Sequence, residues 1–147
     1  MIYNASGGSG HDSLTPFGKK LRDLRAERAV TLKEMASALG VSSAYLSALE
    51  HGRRGRPTWA MVQRIIGYFN VIWDDAEELQ ELAALSDPRV VVDTAGLSPE
   101  ATELANRLAR DIARLPESEI VEILARLRRV RRVVANDSVP ATSDVTE

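Results

Sequence analysis

The side chains best suited to chemistry lie in one stretch, Ser42-Ser43-Ala44-Tyr45-Leu46-Ser47-Ala48, followed by Arg53-Arg54-Gly55-Arg56. Serine hydroxyls, a phenol and three guanidiniums supply hydrogen bonds and positive charge. They lack the base and orienting group that would activate a hydroxyl for covalent catalysis. The chain has only two histidines, His11 and His51, and no cysteine. Disulfides, thiolate metal sites and cysteine nucleophiles are therefore excluded. No nucleotide-binding glycine loop or metal-ligand set stands out, so the expectation is a protein that is not an enzyme and needs no cofactor or metal. The chemistry on offer is recognition of an anion.

Charge is distributed accordingly. The 147 residues carry a formal net charge of −2, an average over two unlike segments. Between Pro16 and Pro57 nine Lys and Arg stand against four acids, a local excess of +5. From Asp74 to Asp87 there are six acids and no base. A basic segment of this kind suits a polyanion such as nucleic acid.

Helices must position these residues. A first helix is expected to start at Thr15-Pro16, because proline fits the first helical turn, with Phe17, Leu21 and Leu24 on its inner face. Thr31 reads as an N-cap. After it, Leu32, Met35, Ala36 and Leu39 recur at the spacing of a short amphipathic helix. Gly40 ends that helix and Ser42 caps the next, expected over 43–51 with Leu46 and Leu49 inward. Gly40-Val41-Ser42 is too short a joint for an antiparallel pair with meeting apolar faces, so the two helices must cross steeply. Ser43, Ala44, Ser47 and Ala48 then face outward with Tyr45 at the edge. Side chains this small would let the helix sit deep in a DNA major groove, which is about 12 Å wide. A fourth helix is expected from Pro57-Thr58, with Trp59, Val62, Ile65, Ile66 and Phe69 inward. A fifth is expected over 74–85, with two aspartates capping its start. Trp59, Phe69 and Trp73 are assigned to core and edge packing, and His51 to the helix C-terminal dipole.

The segment from Pro16 to about Val71 resembles the Cro/C1-type helix-turn-helix family, also called the XRE family. The resemblance rests on "TLKEMASALGVSSAYLSALEHGRRGRPT", where Ala36, Gly40, Leu46, Ser47, Glu50, Gly52 and Pro57 fall at the family's spacing. It implies an all-α fold: an N-terminal five-helix lambda-repressor-like bundle whose third helix enters the major groove. By position it implies base-facing Ser43, Ala44, Tyr45, Ser47 and Ala48. It implies phosphate contacts from Ser42, Arg53, Arg54 and Arg56, with Lys20 of the first helix added to that set. Glu50 is expected to hold the third helix and the loop together. Family members often carry glutamine where this chain has Leu32, Ser43 and Ala44, so direct hydrogen-bond readout of bases is expected to be thin. Methyl contacts, water-mediated contacts and shape readout would supply the rest.

The expected organisation is a flexible tail over 1–14, the DNA-binding domain over 15–86, and a linker or short extended segment over 87–97. A C-terminal helical pair over 98–134 and a disordered tail over 135–147 complete it. Ser98-Pro99 opens the first helix of the pair, with a stripe of Leu104, Leu108, Ile112 and Leu115. After Pro116 the second carries Ile120, Ile123, Leu124, Leu127 and Val130 to about Val133. Two such helices cannot bury two stripes fully, so they are expected to form a homodimer. The five arginines between Arg126 and Arg132 read as a solvated face more than as phosphate contacts. No apolar run reaches the roughly 20 residues of a membrane span, and a cytoplasmic protein is expected. The function that follows is a dimeric, sequence-specific regulator of transcription on double-stranded DNA, with repression as the default. The alternative is an antitoxin or protein-interaction adaptor on the same fold, with an unknown protein partner.

Overall fold

Thr15 shows how the chain is tied together. Its hydroxyl accepts from Gly18 N at 3.0 Å, and its own N–H donates to Glu50 O at 3.1 Å. The computed structural model describes residues 13–137; the expected tails lie almost wholly outside that range. Among these residues seven α-helices occur in the order α1 (Pro16–Glu27), α2 (Leu32–Leu39), α3 (Ser43–Glu50), α4 (Trp59–Phe69), α5 (Trp73–Ala84), α6 (Pro99–Asp111) and α7 (Glu117–Asp137). A 3₁₀ turn, Ile112–Arg114, lies between the last two. Among the described residues there is no strand. The fold is all-α, an N-terminal five-helix bundle with C-terminal helices. The chain divides into two units, Met1–Val91 and Val92–Glu147.

In the first unit every helix contributes to one core. Phe17 and Leu21 of α1, Met35 of α2, Leu46 of α3, Ile65 of α4 and Leu79 of α5 are each fully buried. Four helices start with a hydroxyl or hydroxyl-like cap that the sequence announces: Thr15, Thr31, Ser42 and Thr58 each accept from the backbone N–H three residues on. Thr31 forms a full capping box with Glu34, satisfying two orphan donors at once. The backbone N–H of Thr31 holds the Glu34 carboxylate below its ordinary pKa, with the Thr31 hydroxyl adding to this. Gly40 ends α2 at φ +68°, a conformation that costs a side chain-bearing residue strain.

Gly18 has a different use. It lies inside α1, where a Cβ would come 1.9 Å from Glu50 O. Its missing side chain lets α1 cross the end of α3 in direct contact. The turn after α5 closes the same corner. Buried Ser86 accepts from Phe17 N at 2.9 Å and donates to Leu82 O. The first unit therefore runs past Ser86, to Val91.

Several side chains depart from expectation. Trp59 is 74% exposed, not inward. The inner stripe of α4 is Met61, Val62, Ile65 and Phe69. At 100° per residue Trp59 points roughly 100° away from the centre of that stripe. Trp73 is 83% exposed and takes φ +52° where α5 begins. Asp74 and Asp75 occupy the first turn of α5 without capping it; the N-cap is Ile72, which makes no side-chain cap bond. They favour the positive end of the helix, and Asp75 adds to the negative charge around Lys20. Val90, Val91 and Val92 lie exposed in irregular backbone.

In the second unit, Ser98 caps α6 by accepting from Ala101 N at 3.2 Å, and Pro99 occupies the first helical turn. The last helix runs four residues beyond the expected Val133, to Asp137. Among its described residues none from 92 to 134 is buried. Leu104, Ile112, Leu124, Leu127 and Val130 are all exposed.

Candidate nucleic-acid interface

The turn Gly40-Val41-Ser42 joins α2 to α3, and these two helices pack on one another through Met35, Ala36, Leu46 and Leu49. Arg64 of α4 donates to Leu39 O, so the exposed carbonyl end of α2 is held from the side. The orientation of α3 is thus fixed by α1, α2 and the core beneath it.

Ser42, Ser43 and Ala44 are exposed, Tyr45, Ser47 and Ala48 are half-buried, and Leu46 and Leu49 are buried. The expected outward face is therefore most open at its N-terminal end and shallower one turn later. The Ser42 hydroxyl accepts from Tyr45 N at 3.0 Å, which leaves its own proton to donate elsewhere. Tyr45 packs on the core cluster. The Arg54 guanidinium lies 5.1 Å from the centre of its ring, a cation–π contact that ties the arginine loop to α3. Arg53, Arg54 and Arg56 are all exposed.

Glu50 decides the charge of this surface. It is 1% exposed. Its Oε1 accepts from Arg25 Nε at 3.1 Å and from a second Arg25 nitrogen at 2.8 Å; Oε2 meets Arg22 at 3.5 Å. A carboxylate so buried requires such partners. The expectation that Glu50 holds helix and loop together is corrected: it clamps α3 to α1. Glu50 is the one acid between Ser42 and Pro57. With it enclosed, all the formal charge this stretch shows to solvent is positive. Sequence reasoning missed Arg22 and Arg25. The usable signal was an acid at an inward position of α3, which calls for cations on a neighbouring helix.

Lys20 stands apart. Its Nζ bonds Glu78 Oε2 of α5 at 3.0 Å, and that hydrogen bond, ahead of the cost of burial, raises its pKa. This lysine, expected among the phosphate contacts, is engaged in an ion pair that links α1 to α5. His51 is the C-cap residue of α3; its Nδ1 is buried and has no hydrogen-bond partner among the described residues. No group of three or more His, Cys, Asp or Glu that could hold a metal ion occurs among the described residues.

Known proteins match this same region. A family model described as a helix-turn-helix domain matches residues 16–84. Residues 16–84 are a helix-turn-helix domain. It is of the XRE type that the motif between Thr31 and Thr58 implies. Two Bacillus subtilis (strain 168) proteins are similar. One, named an uncharacterized HTH-type transcriptional regulator RghRB, is 36% identical over 62 residues, 42% of this chain and 45% of its own length. The other, named the HTH-type transcriptional repressor RghR, is 43% identical over 49 residues, 33% of this chain and 36% of its own. This chain therefore spans less than half the length of either relative. Both are named as regulators, a class without catalysis. A solved chain titled SinR protein/SinI protein complex aligns over 79% of this chain and 98% of that one, at 18% identity and a TM-score of 0.37. No helix among the described residues is long and apolar enough to cross a membrane.

Proposed function

We propose that this chain is a sequence-specific, double-stranded DNA-binding regulator of transcription, acting as a repressor, as a dimer on an operator, in the cytoplasm. The observation that carries the reading is the wholly cationic outer charge of 42–56 around a helix tip of small side chains. In the proposed complex the N-terminal end of α3 enters the major groove. Ser43 and Ala44 reach base edges first: a serine hydroxyl can serve either base type, and an alanine methyl suits a thymine methyl. Ser47, Ala48 and Tyr45, being half-buried, contact the groove wall or backbone. Ser42 donates to a phosphate, helped by the positive end of α3. Arg53, Arg54 and Arg56 lie along the phosphates, Arg54 steadied by Tyr45. Repression is supported by the printed name of one relative. Dimerisation is supported by the exposed stripes of α6 and α7, and it matches half-sites about 34 Å apart.

The test is selection of genomic DNA fragments by the purified protein, followed by binding curves for the preferred fragment with wild type and Ser43→Glu. A carboxylate at the groove floor should weaken binding by at least about 100-fold through repulsion from the polyanion, with the circular dichroism spectrum unchanged. Retention of no fragment at low salt, or full binding by the variant, contradicts the reading.

A further inference from the structure

The last helix carries a pattern that the DNA-binding reading leaves unused. Ile120, Ile123, Leu127, Val130 and Val134 of α7 recur at alternating steps of three and four. That is the spacing of a coiled-coil seam. Ile123 is half-buried and the other four are exposed, Leu127 by 58% and Val130 by 61%.

Charge on the same helix is polarised along its axis. From Glu117 to Glu122 there are three carboxylates and no cation; from Arg126 to Arg132 there are five arginines and no carboxylate. The ion pair of Arg126 with Glu122, at 3.2 Å, marks the border between the two ends. Two such helices side by side in the same direction would set arginines against arginines and glutamates against glutamates. Like charges at facing positions destabilise a helix pair. In opposite directions each acidic end lies along the other's basic end.

We infer that two copies of this chain pair through α7 with the helices antiparallel. The inference rests on the dimer reading proposed above and adds the seam, its direction and its register. In the register with Ile123 level with Leu127 of the partner subunit, Ile120 is level with Val130 of the partner subunit. That register also brings the Glu117–Glu122 end alongside the Arg126–Arg132 run of the second copy. The arginine run then selects the direction of pairing; it is not a second phosphate-binding surface.

The absence of cysteine from the chain makes the test clean. Full-length Ile120→Cys and Val130→Cys variants are prepared, one with an added mass tag, and oxidised alone and as an equal mixture. Disulfides need Cα atoms within about 7 Å, so the antiparallel seam should give the mixed disulfide in at least about fivefold excess over either homodisulfide. A prevailing homodisulfide, the mark of parallel helices, overturns the inference. So does a chain that sediments as a dimer but forms neither disulfide, since the seam would then lie elsewhere; in both cases the dimer reading survives. A wild-type chain that sediments as a monomer at micromolar concentration overturns both. Wild type gives an independent readout. Raising salt from about 0.05 to 0.5 M shortens the screening length and should weaken an antiparallel dimer several-fold, whereas a parallel one should tighten.

Discussion

The two units of this chain are built from the same kind of amphipathic helix, yet one closes its core and the other does not. In the first, five helices surround Phe17, Leu21, Met35, Leu46, Ile65 and Leu79, all fully buried. In the second, the apolar stripes of α6 and α7 are mostly exposed, with Leu108, Leu115 and Ile123 half-buried, and no described residue from 92 to 134 is buried. A helix is stable in water chiefly when its apolar face is covered. The first unit covers its faces with its own chain. The second needs a surface from elsewhere, and its self-complementary charge points to another copy of itself. On the proposed reading the division separates tasks: a self-sufficient unit that holds the recognition helix rigid, and a unit completed by a second copy.

The contrast is broken most severely by one matched pair of truncations. Leu46→Ala should destabilise the first unit by about 3 kcal/mol, the range for a fully buried leucine. Leu127→Ala should leave the urea midpoint of the first unit unchanged and raise the dimer dissociation constant instead. Equal unfolding losses for both variants would mean that the second unit has a core of its own.

A smaller effect is expected from ending the chain at residue 91. The fragment should keep the cooperative thermal transition of the first unit, sediment as a monomer, and bind an operator at least about tenfold more weakly, because the second half-site no longer assists the first. A dimeric fragment would move the interface into the first unit.

The smallest effect comes from the Lys20–Glu78 pair that links α1 to α5. An exposed pair of this kind contributes about 0.5 kcal/mol. Because Glu78 raises the Lys20 pKa above 10.5, the contribution is complete below pH 10.5 and fades as pH rises through the raised value. Chemical denaturation of wild type and Glu78→Gln should differ slightly at pH 7 and converge only once pH has risen past the raised Lys20 value. DNA affinity at pH 7 should be nearly unchanged if Lys20 serves the fold and not the phosphates.

Much of this was legible in the amino-acid order because the signals are local. Thr15, Thr31, Ser42, Thr58 and Ser98 each precede an apolar helical repeat, and each caps the helix it announces. Gly40 and the Gly40–Ser42 joint fixed the helix pair in the same way. What escaped depends on long-range partners. Glu50 is 25 residues from Arg25, and its burial follows from three-dimensional packing that no spacing rule encodes. Gly18 reads as an ordinary weak spot in a helix until α3 crosses it. Trp59 lies three residues before buried Val62 and so fits a helical stripe on spacing alone, but its bearing falls roughly 100° from the centre of the stripe that packs inward. Lys20 carries the charge a phosphate needs, and its pairing with Glu78 of α5 is a long-range contact that spacing does not encode.

The central claim is that α3 and the arginine loop meet the DNA backbone, and the salt dependence of binding tests it most directly. Wild type and the triple variant Arg53→Ala, Arg54→Ala, Arg56→Ala are titrated with the selected fragment across a range of salt. Each phosphate contact contributes about 0.9 to the slope of log affinity against log salt. The account predicts a slope shallower by about 2 to 3 for the triple variant, with folding intact. An unchanged slope would remove the loop from the interface and contradict the account.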